Sequence, residues 1–114
     1  MILYSAYHEP ERNEMDTEAI YKALSNPIRR QILQCLKDPE RMIPKDECIY
    51  DYSRGVCAGQ IEKIADVSQS TMSNHLSVLL QAGLVHVEKH GQWCYFTRNE
   101  ALIQNFLSHI QQSL

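Results

Sequence analysis

Residues 61–84 read I-E-K-I-A-D-V-S-Q-S-T-M-S-N-H-L-S-V-L-L-Q-A-G-L, two helical periods with almost no chain between them. Ile61, Ile64 and Ala65 fall on one face of the first; Met72, Leu76, Leu79 and Leu80 fall on one face of the second. Asp66, Val67 and Ser68 separate them, a turn short enough to make two helices cross steeply. Ser68 is placed to cap the second helix, its hydroxyl accepting from a free backbone N–H one turn in. The outward side of that helix carries Gln69, Ser70, Thr71, Ser73 and Asn74, with His75 at its margin. Such short polar groups offer the donors and acceptors that base edges present in a major groove. They also populate ordinary solvated faces, but they are poor helix formers, and a face almost without Lys or Glu is unusual for solvation alone. The pattern is a helix-turn-helix. His75 has two readings, a phosphate contact or a brace for the helix.

Downstream, 84–88 (L-V-H-V-E) and 92–97 (Q-W-C-Y-F-T) are rich in β-branched and aromatic residues, with Lys89, His90 and Gly91 between them. This predicts a β-hairpin directly after the second helix. Its tip, with Lys89 and His90, is expected to reach a phosphate or the minor groove.

Upstream, Asn26-Pro27 is a helix start, with Asn as N-cap and Pro at the first helical position. Ile28, Ile32, Cys35 and Leu36 form its inward stripe, and Asp38-Pro39 ends it. A shorter helix is expected before it from Asp16 or Thr17, with Ile20, Tyr21 and Leu24 on one side. After the hairpin, Arg98 or Asn99 opens a last helix whose Leu102, Ile103, Phe106, Leu107, Ile110 and Leu114 cover about two faces. One face serves the core, and the other is suited to a partner subunit.

In these features the chain resembles the ArsR/SmtB winged-helix repressors. The resemblance lies in A-L-S-N-P-I-R-R-Q-I-L from Ala23, S-Q-S-T-M-S-N-H-L from Ser68, A-G-L-V from Ala82, and the hairpin; it spans roughly residues 16 to 112. It implies a mainly α, dimeric winged helix-turn-helix with a small β-hairpin. The implied function is sequence-specific repression at a palindromic operator on double-stranded DNA. The homodimer is expected to form through the first and last helices, and release of such repressors often follows a metal ion or redox signal. An acidic arm at 1–15, extended or mobile, is expected to precede the domain at 16–114. A loop at 38–56, far longer than the few residues usual in the family, is expected to pack through Met42, Ile43, Ile49, Tyr50 and Tyr52.

Composition bounds the rest. A chain of 114 residues is one domain. No apolar run approaches membrane-spanning length and the N-terminus is unlike a signal peptide, so a cytoplasmic location is expected. The four cysteines, Cys35, Cys48, Cys57 and Cys94, then read as thiols rather than a disulfide framework. The net charge of −3 weighs mildly against nucleic acid. Charge is uneven, however: 21–37 carries Lys22, Arg29, Arg30 and Lys37 without one acid, and a local patch is what matters. Within the motif Lys63 and Lys89 are the main basic residues, so few phosphate contacts per subunit are expected.

Cys57 occupies the place where the family's metal sensors carry the first cysteine of a C-x-C pair, but Gly59 stands where the second would be. A soft ion such as Zn(II) or As(III) wants two or more thiolates. Cys48 and His8 are the candidate supplements; otherwise Cys57 is a small helix-start residue. Cys48 and Cys57 also form the candidate thiol sensor, through a disulfide under oxidation. The family's metal site on the last helix is not matched, since only His109 lies near a ligand position and Arg98 and Gln112 replace others. No metal site, cofactor or catalytic residue is therefore assigned; glycine-rich phosphate loops and H-E-x-x-H are missing from the sequence. A winged helix that binds protein instead of DNA is the alternative function.

Overall fold

The computed structural model describes Tyr7, Glu9 and residues 15–43 and 52–114. The elements run α1 (Thr17–Leu24), α2 (Pro27–Lys37), α3 (Pro39–Met42), β1 (Val56–Cys57), α4 (Ala58–Ala65), α5 (Gln69–Gln81), β2 (Val85–His90), β3 (Trp93–Arg98) and α6 (Glu100–Ser113).

Side chains at the helix starts set the boundaries. The Asp16 carboxylate accepts from Ala19 N at 3.2 Å, and the Asn26 side-chain oxygen accepts from Ile28 N at 2.8 Å with Pro27 in the first turn. Each satisfies a backbone donor that has no helical partner. Asn99 opens α6 in the same way. Its Oδ1 accepts from Leu102 N, and its Nδ2 donates to the Gly83 carbonyl at 2.9 Å, joining α6 to the end of α5.

One core fills the space between helices and sheet. Ile20 and Ala23 of α1, Ile32 and Cys35 of α2, Ile61 of α4, Met72, Leu76, Leu79 and Leu80 of α5, and Phe96 of β3 are all buried. The expected stripe of α5 is thus the buried one. On α1 the inward pair is Ile20 and Ala23, whereas Tyr21 is exposed.

Two expectations are corrected by pairing. The hairpin turn is Gly91-Gln92, because His90 pairs with Trp93 and Lys89 with Cys94 inside the ladder. Gly91 has φ +65°, the left-handed value needed at the first position of such a two-residue turn. The sheet also has a third strand, with order β1-β3-β2. Val56 opposes Phe96, and Cys57 opposes Tyr95. Gly55 lets this strand approach: its φ is +110°, and a Cβ there would strike the Phe96 carbonyl oxygen.

The long segment at 38–56 is not loop throughout. It opens with the single helical turn α3, started by Pro39, and closes with β1. Ile43 is buried, while Met42 and Tyr52 pack against the core. Ile49 and Tyr50 lie outside the described residues. The arm is tied down at the two positions described. Tyr7 is buried against Phe96, and Glu9 accepts a hydrogen bond from Val87 N on β2, the outer strand of the sheet.

Candidate nucleic-acid interface

The helix-turn-helix is α4, a turn and α5. Asp66 ends α4 in the left-handed conformation, φ 50° and ψ 49°, which Asp tolerates better than most residues. Ser68 then caps α5: its Oγ accepts from Thr71 N at 3.2 Å and donates to Thr71 Oγ1 at 2.9 Å, with Ser70 Oγ 3.2 Å away. The cap therefore also orients the hydroxyls of the first turn.

With Met72, Leu76, Leu79 and Leu80 fully buried, the opposite face of α5 is fixed outward. Gln69, Ser70, Thr71 and Asn74 are exposed on it. Ser73 is half-buried and lies beside the Tyr7 hydroxyl. His75 is not on the open face; only 7% of its surface is exposed. Its ring nitrogen Nδ1 lies 3.2 Å from Arg29 Nη1, so of its two readings the brace is the one the geometry matches. Burial, then the Arg29 charge, lowers its pKa.

In the wing Lys89 is exposed on β2, and the half-buried His90 ring meets Tyr95 edge-on at 5.6 Å. The tip itself is Gly91-Gln92, with Trp93 47% exposed beside it. Sequence reasoning passed over Trp93 as a surface residue. The signal was present: in 93–97 Cys94 and Phe96 alternate with Trp93 and Tyr95, so only one set faces the core.

The thiols separate by position. Cys35 is fully buried, and burial pushes it up to about 11; burial also raises Cys94. Cys57 is half-buried at the N-cap of α4. The register sets Cys57 with Tyr95 on one face of the sheet, and Cys94 with Phe96 on the other, so these two are not aimed at each other. Cys48 and His8 lie outside the described residues.

The relatives agree with this geometry. Residues 24–88 match the family model described as a helix-turn-helix domain. The HTH-type transcriptional regulator YbzH of Bacillus subtilis is 43% identical over 89 residues, 78% of this chain and 89% of that protein. The arsenical resistance operon repressor of the same organism is 34% identical over 80 residues, 68% and 72% of the two chains. The chain belongs to the ArsR/SmtB-type helix-turn-helix regulators. Among solved structures, HlyU from Vibrio cholerae superposes with a TM-score of 0.57 at 26% identity, covering 90% of this chain and 97% of that one. An ArsR family transcriptional regulator at 20% identity shares the fold with a TM-score of 0.60, over 84% and 92%.

A metal site of the kind found in this family needs several converging ligands. Among the described residues of this ArsR/SmtB-type regulator, no three His, Cys, Asp or Glu side chains converge closely enough to hold an ion. Gly59 in place of a second cysteine leaves Cys57 without its neighbour. The Arg98 guanidinium is engaged with Glu100 at 2.5 Å, and His109 lies against Ser113 of its own helix. The described residues do not fit the group.

Proposed function

We propose that this regulator is a repressor that binds, as a homodimer, an imperfect palindrome on double-stranded DNA. The observation that carries the reading is the two-sidedness of α5. Its apolar face is wholly buried, and its other face shows Gln69, Ser70, Thr71 and Asn74 to solvent. A helix so fixed, with a wing directly after it, is built to sit in a major groove. Lys89 and the turn beyond His90 then serve neighbouring phosphates, and Ser73 and His75 support the reading helix from within.

The dimer reading rests on α1 and α6. Tyr21 of α1 is exposed and stacks edge-on against Phe106 of α6 at 5.5 Å. Leu102 and Phe106 hold the first half of α6 to the core. Beyond them Leu107 is 52% exposed and Leu114 is 96% exposed, an apolar edge that a second subunit would cover. Two subunits would place their reading helices about one helical turn of DNA apart, or a small multiple of it. Catalysis and a cofactor have no part in this function. The regulator acts in the cytoplasm, and no described helix is long and apolar enough to cross a membrane.

A gel-shift titration against the DNA preceding its own gene, at several salt concentrations, tests the reading. Specific binding that weakens steeply with salt is expected. If no duplex is bound and a protein partner is captured instead, the winged helix serves protein recognition.

A further inference from the structure

We infer that Arg29 and His75 are positioning residues for DNA reading, joining the end of α1 to the middle of the reading helix through a contact that holds only while His75 is neutral. This rests on the reading of α5 as the DNA-facing helix.

Arg29 lies in the first turn of α2, and its guanidinium reaches two other elements, α1 and α5. Its Nε donates to the Ala23 carbonyl at 2.8 Å, its Nη2 donates to the Lys22 carbonyl at 3.0 Å, and its Nη1 lies 3.2 Å from His75 Nδ1. The two carbonyls belong to the last turn of α1, where the i+4 helical donors run out; Ser25, the C-cap, also donates to that of Lys22 through Oγ at 2.7 Å. Arg30 also reaches back to α1, through the Leu24 carbonyl at 2.6 Å, but the contact with α5 is made by Arg29.

The chemistry of the pair decides its protonation. A guanidinium has donors and no acceptor, so Nδ1 must accept and the ring proton must lie on Nε2. A protonated ring has no acceptor left and would set a second cation beside the first. Charged side chains on the elements packed against α5 include Glu18 and Lys22 of α1, Arg29 and Arg30 of α2, and Glu88 and Lys89 of β2. Of these Arg29 acts on the imidazole, and it opposes protonation as burial does. The same α1 carries Tyr21 on the proposed subunit face, and His75 directly follows Asn74 on the reading helix. The pair thus links the helix that carries the proposed subunit face to the helix that carries the proposed reading face.

The pH response has a distinctive sign. Acid should charge His75, break the contact and loosen the reading helix, so specific affinity should fall as pH drops.

The test uses the full chain and a duplex of the DNA preceding its own gene, titrated at fixed salt from about pH 8 to about pH 5, a range that reaches well below the ordinary imidazole value. The parent should lose affinity at the acid end. His75→Asn, which keeps an acceptor near the Nδ1 position and does not titrate, should bind like the parent at the alkaline end and lose the acid fall. His75→Leu should bind about tenfold more weakly throughout, about 1.4 kcal/mol. In parallel, nitrogen NMR of the DNA-free protein should find the His75 proton on Nε2 and a midpoint below that of an exposed histidine. A parent without an acid fall, a His75→Asn variant that retains it, or a proton on Nδ1 overturns the link alone. A parent that binds no duplex at any pH overturns the DNA reading and this inference with it.

Discussion

Tyr7 meets Phe96 edge-on, ring centroids 5.0 Å apart and planes at 83°, so a residue of the arm completes the core beneath the wing. Phe96 in turn opposes Val56 on one side and Val87 on the other. The arm, the strand entering the motif and the wing thus share one aromatic contact. Glu9 is bonded to Val87 N, with Oε2 3.4 Å from His86 Nδ1, so this position of the arm is tied to the outer strand.

Tyr7 packs through its ring, while its hydroxyl is buried without a hydrogen bond of good geometry. Tyr7→Phe removes that unpaired group and should leave stability unchanged or slightly raised. Tyr7→Ala should cost about 3 kcal/mol or more, as loss of a buried aromatic does. Urea unfolding of the two variants checks this, and equal losses would show that the hydroxyl matters more than the ring.

On the reading helix, Asn74→Ala should lose on the order of 1–3 kcal/mol for the specific site and little for random duplex. Lys89→Ala should weaken all duplexes similarly and flatten the salt dependence. Ser73→Ala should have the smaller effect of the two helix substitutions, because Ser73 is half-buried beside Tyr7. Anisotropy titrations with specific and scrambled duplexes separate these outcomes; an Asn74→Ala variant that binds like the parent would misplace the reading face.

Leu107→Glu should convert the proposed dimer to monomer at micromolar concentration, since it puts a charge on the apolar edge of α6 without disturbing the buried Leu102 and Phe106. Sedimentation equilibrium reads the mass directly. A parent that is already monomeric removes the dimer and the palindrome together.

If a signal arrives through sulfur, it arrives at Cys57. Cys35 is enclosed and Cys94 is buried, which leaves Cys57 and Cys48, the latter outside the described residues, as the pair we propose for a disulfide or a thiophilic ion. Oxidant, Zn(II) or As(III) should then lower operator affinity of the parent and leave Cys57→Ser unaffected. An unresponsive parent would make these cysteines structural.

Alkaline pH should destabilise the fold. Burial pushes Tyr7 from 10.0 to about 12 and Cys35 from 9.0 to about 11. Each folded group holds its proton longer than the unfolded one, so stability is intact below the unfolded values and is lost as pH rises through the folded ones. Melting temperatures from about pH 8 to about pH 11 should fall, and less steeply for Cys35→Ala. Equal slopes would exclude Cys35 as a source of the loss.

Much of this was legible in the residues because it is local. The caps Asp16, Asn26, Ser68 and Asn99 act within three residues, and the stripe of α5 repeats at helical spacing, so each declares itself in a short window. What only the tertiary structure decided concerns contacts between distant positions. The two residues of β1 are too few for a period and exist through pairing with β3. Tyr7 lies in an acidic, aperiodic arm and is buried by Phe96, which nothing near it in sequence foretells. His75 sits at the margin between two faces, and it is buried against the Arg29 guanidinium that the packing of α2 brings to it. Local rules specify which helices form; side chains at a boundary take their direction from the neighbour that packing supplies.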